Sequence, residues 1–145
     1  MPVVTFHNEH RSVDVDPGIN LRALMLKVGV TPYQGISQLT NCRGHNFCGT
    51  CAVAVVDGKG GSPRSQDEEA TLAGNLLIAK TVDKNLRLSC QTTIVGDMVV
   101  KTHPVRVVDT KKTKERVTLT AIGCFFLLVF GGMLVVLLLD MIEQL

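Results

Sequence analysis

An excess of charge of either sign is missing from this 145-residue chain. Its 15 Lys and Arg stand against 13 Asp and Glu, a formal charge of +2, so no strong field directs it to nucleic acid. Met1 to Arg11 lacks the basic-then-apolar order of a secretory leader. No internal repeat and no low-complexity tract occurs. Charge is absent altogether from Val117 to Leu139, a run of 23 residues. As a helix rising about 1.5 Å per residue, that run extends roughly 34 Å and exceeds a bilayer core of about 30 Å. A buried core helix is the plainer alternative, and the length argues against it. Before the run, residues 105–116 carry Arg106, Lys111, Lys112, Lys114 and Arg116 against Asp109 and Glu115, a net of +3; after it come only Asp140 and Glu143. That asymmetry predicts a transmembrane helix with the long N-terminal part on the cytoplasmic (or stromal) side. The basic stretch is foremost a topology signal, with contact to anionic membrane lipid a secondary reading.

What the chain does have is Asn41-Cys42-Arg43-Gly44-His45-Asn46-Phe47-Cys48-Gly49-Thr50-Cys51, three thiols within ten residues. Its two glycines let the backbone wrap closely around a small guest and take up positive φ. Inward-turned N–H groups on such a loop favour a negatively charged guest. A fourth thiol, Cys90, arrives from far along the chain. Four thiolates, three on one loop and one remote, read as the cage of an iron–sulfur cluster, with one residue more in the first gap than the C-x₄-C-x₂-C spacing. A structural zinc site is the alternative, but such sites usually bring two C-x₂-C knuckles and only one is present. His45 reads as a solvated loop residue rather than a ligand. The fifth cysteine, Cys124, lies in the apolar run and reads as a small apolar residue. Reduced thiols also suit the cytosolic side, where disulfides are rare.

Val3–Phe6 and Ser12–Val15 flank the polar Asn8–Arg11 and predict a β-hairpin. Pro17-Gly18 breaks it. Leu21, Leu24, Met25 and Val28 follow at helical spacing, with Gly29 as the stop. A loop from Thr31 to Thr40 leads to the cysteines. Ala52–Val56 predicts a buried strand ending at Asp57-Gly58. Ser65-Gln66-Asp67-Glu68 has the form of a capping box. It opens a helix with Asp67, Glu68 and Glu69 in its first turn, predicted to end near Ala79 although Gly74 weakens it. In Leu86–Gln91 the alternation puts Leu86, Leu88 and Cys90 on the core face and Arg87, Ser89 and Gln91 on the other. Met98–His103 closes the order, and Pro104 ends the domain.

With that order in place, the residues resemble the 2Fe–2S ferredoxins of β-grasp fold. Cys42-Arg43-Gly44, Cys48-Gly49-Thr50-Cys51 and Gly96-Asp97-Met98 leading to Thr102-His103 are similar to the plant and cyanobacterial type. The five-residue first gap, Asp67-Glu68-Glu69 and Arg87-Leu88-Ser89-Cys90-Gln91 are similar to the adrenodoxin type. The resemblance covers about residues 3–104 and implies an α+β architecture. It also implies that Cys42, Cys48, Cys51 and Cys90 ligate two irons bridged by two sulfides, the more exposed iron on Cys42 and Cys48. Residues 1–104 carry 10 basic and 9 acidic side chains, unlike the markedly acidic plant type, so a broad acidic docking face does not transfer. Phe47, bulkier than the small residue expected beside Cys48, shields the cluster or meets a partner.

The expected organisation is a β-grasp ferredoxin domain at 1–104, a basic linker at 105–116 reaching about 40 Å if extended, and a transmembrane helix with a short tail at 117–142. No general base, nucleophile or substrate pocket accompanies the cysteines, so the chain is expected to carry electrons rather than act as an enzyme. The potential expected by resemblance is low, around −400 mV. A tether raises effective concentration only for a partner in the same membrane. The expected partner is therefore a membrane-bound photosynthetic or respiratory redox complex or a reductase, met by a mobile carrier. The alternative is a fixed accessory subunit whose single helix is packed inside such a complex, with Gly123, Gly131 and Gly132 allowing close approach.

Overall fold

A computed structural model describes all residues except 57, 58, 76, 144 and 145, and the chain divides into two compact units. The first comprises 1–74 and 80–107, the second 75–79 and 108–145.

In the first unit the hairpin forms β1 (Val3–Phe6) and β2 (Arg11–Asp14), antiparallel with Val4 opposite Val13. Alternation decides which face is buried: Val4 and Phe6 are fully buried, while Val3 and Thr5 are not. Helix α1 (Leu21–Lys27) starts on Asn20, whose Oδ1 accepts the Ala23 N–H, and it buries Leu21, Leu24 and Met25. Gly29, at φ +79°, turns the chain off it. Within the expected 31–40 loop the chain makes one turn of 3₁₀ helix, Gly35–Gln38. Then come β3 (Ala52–Val55), α2 (Gln66–Leu72), β4 (Leu86–Leu88) and β5 (Met98–Lys101). The end expected for β3 at Asp57-Gly58 lies outside the described residues.

The sheet order is β2-β1-β5-β3-β4. Strand β5 runs parallel to β1, with Phe6 opposite Val100, and antiparallel to β3. The last strand of the domain thus inserts between the first and the third, and α1 crosses one face. This is the β-grasp arrangement of an α+β domain. The main core joins Val4, Phe6, Leu21, Met25, Val53, Val55, Ile94 and Val100, each contributing roughly 1.5–3 kcal/mol by leaving water. A smaller cluster joins Tyr33, Cys51, Ala52, Leu72, Leu86 and Leu88, with Cys90 packed against it.

Two expectations in this unit need correction, the end of α2 and the strand placement of Cys90. Helix α2 does not reach Ala79: it is capped at Ala73, and Gly74 takes φ +103°. The acidic first turn lies only partly at the surface. Ser65 caps the helix through the Glu68 N–H at 3.1 Å, but the Glu68 side chain turns inward and is fully buried. It meets Arg87 Nε at 2.9 Å and Nη2 at 3.1 Å, and accepts the Leu88 N–H at 2.7 Å. That ion pair makes Arg87 an interior residue of β4. The strand stops at Leu88, whose carbonyl takes the N–H groups of Gln91 and Thr92 and closes a turn. Cys90 therefore sits on a turn, half-buried, rather than on a regular strand.

The second unit is built on α3 (Thr110–Glu143), 34 residues. Asp109 Oδ1 accepts the Lys112 N–H, and the short segment 75–79 attaches to the first turns. Ala79 donates its N–H to Thr113 Oγ1 at 3.1 Å, and Arg116 Nη1 donates to the Asn75 carbonyl at 2.6 Å. From Ala121 to Ile142 every residue is exposed. The helix is long and apolar enough to cross a membrane. Because it begins at Thr110, the second half of the basic stretch is helical and the 40 Å extended reach does not apply.

Candidate iron–sulfur site

The four predicted thiols fall into two pairs. Cys42 Sγ and Cys48 Sγ are 3.1 Å apart on the loop, and Cys51 Sγ and Cys90 Sγ are 3.3 Å apart at its inner end. The first pair is the more accessible: Cys48 is exposed and Cys42 half-buried, whereas Cys51 is buried. Gly44 links the two, since a Cβ there would lie 3.9 Å from Cys90 Cβ. Cys124 lies in α3 and joins neither pair.

The loop owes its shape to left-handed backbone at Arg43, Gly44, Asn46 and Gly49. Two of these are not glycines, so the tight wrap costs about 1–2 kcal/mol at each. Outside contacts hold it there. Thr71 Oγ1 on α2 donates to the Asn46 carbonyl at 2.7 Å, and Arg106 Nη1 donates to the Gly49 carbonyl at 3.1 Å. The Arg106 Nη2 group also donates to the Leu72 carbonyl at the end of α2. The Cys90 turn is gripped by the start of α1: Arg22 N–H donates to Ser89 O, Leu21 N–H to Thr92 O, and Asn20 Nδ2 to Cys90 O at 2.9 Å.

The electrostatics favour thiolates. Burial opposes ionisation of Cys42, yet the Cys48 thiol and the N–H groups of Cys48, Phe47 and Gly44 bring it from 9.0 down to about 6. Contact with the Cys90 thiol, against burial and helped by the Cys90 N–H and the Ser89 hydroxyl, lowers Cys51 to about 7. Cys90 is pushed up, first by its contact with Cys51 and then by burial, so the Cys51–Cys90 pair releases its first proton easily and resists losing the second. Bound metal removes that resistance, because a coordinating thiol is deprotonated outright. Arg22 stands nearby, its guanidinium donating to the Tyr33 hydroxyl at 2.5 Å and within electrostatic reach of Cys51 and Cys90.

These residues fit a two-iron group. Among the described residues no three His, Cys, Asp or Glu side chains close around one point, as a single zinc would require. Two close sulfur pairs, the outer one met by the N–H groups of Cys42, Gly44, Phe47 and Cys48, would suit a two-iron cluster held by four thiolates. The buried Ser89 hydroxyl lies beside Cys51, where it favours the thiolate. His45 is exposed and joins neither pair.

Comparison with known proteins agrees. Residues 5–95, more than half of the chain, match the family described as 2Fe-2S iron-sulfur cluster binding domain. The chain belongs to this 2Fe–2S ferredoxin family. Solved structures similar to this ferredoxin include the ISC-like 2Fe–2S ferredoxin of Pseudomonas putida, 23% identical, TM-score 0.56, covering 74% of this chain and 96% of that one. A ferredoxin of Rhodopseudomonas palustris is 27% identical, TM-score 0.53, over 73% of this chain and 100% of that one. A similar curated protein is the chloroplastic photosynthetic NDH subunit of subcomplex B 3 of Arabidopsis thaliana, 38% identical over 79 residues. The match takes in 53% of this ferredoxin and 35% of that relative, so the chain spans about a third of the relative's length. The ferredoxin domain binds a 2Fe–2S cluster, and members of the family carry electrons.

Sequence reading missed the groups around the thiols. Arg22, Tyr33 and Arg106 carry no motif, and each becomes relevant only because a distant element presents it. The Glu68–Arg87 pair left a faint signal: a charged residue between two core leucines requires either solvent or a partner.

Proposed function

We propose that Cys42, Cys48, Cys51 and Cys90 hold the cluster and that the chain is a membrane-tethered one-electron carrier of low potential. The cluster domain is assigned to 1–104, a basic segment to 105–116, and the membrane span with its short tail to 117–142. The observation that carries this reading is the pairing of the four thiols on a loop fixed by α1, α2 and Arg106, in a chain that also has a membrane-length apolar helix. A bound 2Fe–2S cluster supplies a site that takes up and gives back one electron. The chain's own residues bind and orient it: N–H groups of Gly44, Phe47 and Cys48 stabilise sulfur charge at the outer pair, and the Cys51–Cys90 pair is shielded by the small apolar cluster. The domain faces the cytoplasmic or stromal side, because Lys111, Lys112, Lys114 and Arg116 precede the span.

The partner is a membrane-bound redox complex. A relative named as a photosynthetic NDH subunit supports this, and it specifically favours the second reading, a fixed accessory subunit packed within such a complex. Two measurements test the proposal. After dithionite reduction the purified protein gives a two-iron EPR signal, and Cys48→Ser or Cys51→Ser abolishes or reshapes it; no signal from the wild type ends the proposal. On mild detergent extraction a free carrier migrates as a small species, whereas a fixed subunit co-migrates with its complex.

A further inference from the structure

Beside Cys48 the first unit opens a cleft of about 230 Å³. Its walls include Thr50 and three basic side chains, Lys80, His103 and Arg106, and no acidic residue among the described residues lines it. The ion pairs among the described residues are Arg87–Glu68 and Lys112–Asp109. Neither Lys80 nor Arg106 is thus matched by a carboxylate among them. Arg106 spends its two terminal nitrogens on the carbonyls of Gly49 and Leu72, and its Nε is buried without a partner. Burial, and after it the charge of Arg106, depresses the Lys80 ammonium. The Cys51 sulfur favours the Arg106 charge, while Lys80 is opposed by Arg106; two cations this close repel, and a bound carboxylate offsets that repulsion.

The rim indicates what kind of anion. Ile36 is 78% exposed, Leu39 90% and Phe47 86%. Ile36 and Leu39 bracket Ser37, which lines the cleft, and Phe47 adjoins Cys48. Large apolar side chains left in water around a charged recess have the anatomy of a protein interface, with an aromatic anchor next to a specific polar contact. A small free anion needs no such rim.

Resting on the carrier reading above, we infer that this cleft is a carboxylate-recognition site, into which an acidic side chain of the redox partner docks next to Cys48. The partner surface is acidic and the ferredoxin surface basic at this point. Phe47 and the 3₁₀ turn cover the partner's apolar contact, and Lys80 with Arg106 sets its register.

The test uses the full cluster-loaded chain in nanodiscs of uncharged phosphatidylcholine. A labelled pentaglutamate peptide is titrated by fluorescence anisotropy, with pentaglutamine and inorganic phosphate as controls. Pentaglutamate binds, pentaglutamine does not, and phosphate competes only weakly. Lys80→Gln weakens the peptide about fivefold, the scale of one partly screened charge contact, His103→Gln weakens it less, and Lys112→Gln leaves it unchanged. Equal losses in Lys80→Gln and Lys112→Gln overturn the proposal in favour of diffuse attraction. Phosphate binding as tightly as the peptide, or displacement of the peptide by phosphatidylglycerol vesicles, also overturns it by naming a small anion or a lipid. An intact EPR signal or co-migration with a complex, alongside failed peptide binding, removes the cleft assignment alone and leaves the carrier reading standing.

Discussion

Replacing Glu68 by Gln keeps the shape of the side chain and removes its charge. The wild-type carboxylate is fully buried, receives two hydrogen bonds from the Arg87 guanidinium and a third from the Leu88 N–H. Its amide replacement presents an NH₂ group to one of those donors and leaves Arg87 as an uncompensated interior cation. Breaking one side of a buried pair costs about 3–5 kcal/mol. For a domain near a hundred residues each kcal/mol moves the melting midpoint by about 4–8 °C, so the loss amounts to roughly 12 °C or more.

The consequence reaches the cluster because of what the pair joins. Glu68 lies on α2, which holds the loop through Thr71, and Arg87 lies on β4, which leads directly into Ser89 and Cys90. Far-UV circular dichroism and visible absorption are followed together on the loaded chain in mild detergent. Cluster bleaching and unfolding shift down in step. Adding Arg87→Met to Glu68→Gln recovers part of the loss, since an apolar residue of similar length no longer strands a charge. A Glu68→Gln midpoint within 3 °C of wild type, on the scale where one degree is about 0.2 kcal/mol, refutes the reasoning.

Three further outcomes are expected. Gly60 sits at φ +80°, and a Cβ added there would lie 2.1 Å from the Asp97 carbonyl oxygen, while Gly18 at φ +92° has nothing within 4 Å; Gly60→Ala is therefore more destabilising than Gly18→Ala in denaturant titrations, and equal losses contradict the contact. In metal-free protein Cys42, lowered to about 6, is alkylated faster than the raised Cys90 at neutral pH, as read by mass spectrometry. Because its folded value lies below the unfolded one, Cys42 contributes stability that is complete above about pH 9 and is lost as pH falls through about 6; a flat profile over that window contradicts the assignment. Leu128→Arg, in the middle of the span, makes insertion less favourable by about 2.5–3.5 kcal/mol in a translocation reporter, and unchanged insertion of a shortened span carrying it removes the membrane reading.

Periodicity carried most of the fold. The alternation of Val3–Phe6, the helical stripe of Leu21–Val28 and the order of elements were legible because each is a local property of a few residues. The thiol spacing was equally local on the loop, and Cys90 stood out as the remaining thiol outside the apolar run. Local pattern failed where a distant partner decides. Arg87 reads as solvent-facing until Glu68, nineteen residues away, is known to be inside. The end of α2 was misplaced because Gly74 adopts positive φ there instead of merely weakening a longer helix. Arg106 reads as linker charge, yet it braces Gly49 from 57 residues away.

The same distinction changes the electrical picture of the docking face. Counted along the sequence, Asp67, Glu68 and Glu69 form an acidic triad at a helix start, a natural candidate for a basic partner. In the fold only Asp67 and Glu69 remain exposed, because the central carboxylate is consumed by Arg87. The net count of the domain conceals an opposite bias at the cysteine loop. There Lys80, His103 and Arg106 share a cleft with no carboxylate among the described residues, and Ile36, Leu39 and Phe47, beside or near its lining residues Ser37 and Cys48 in the chain, are exposed. Charges that are already paired inside the domain have little left to offer a partner, whereas unpaired ones retain most of their attraction until something binds. On the proposed docking, positive charge at the rim of Cys48, rather than negative charge on α2, is what a redox partner meets first.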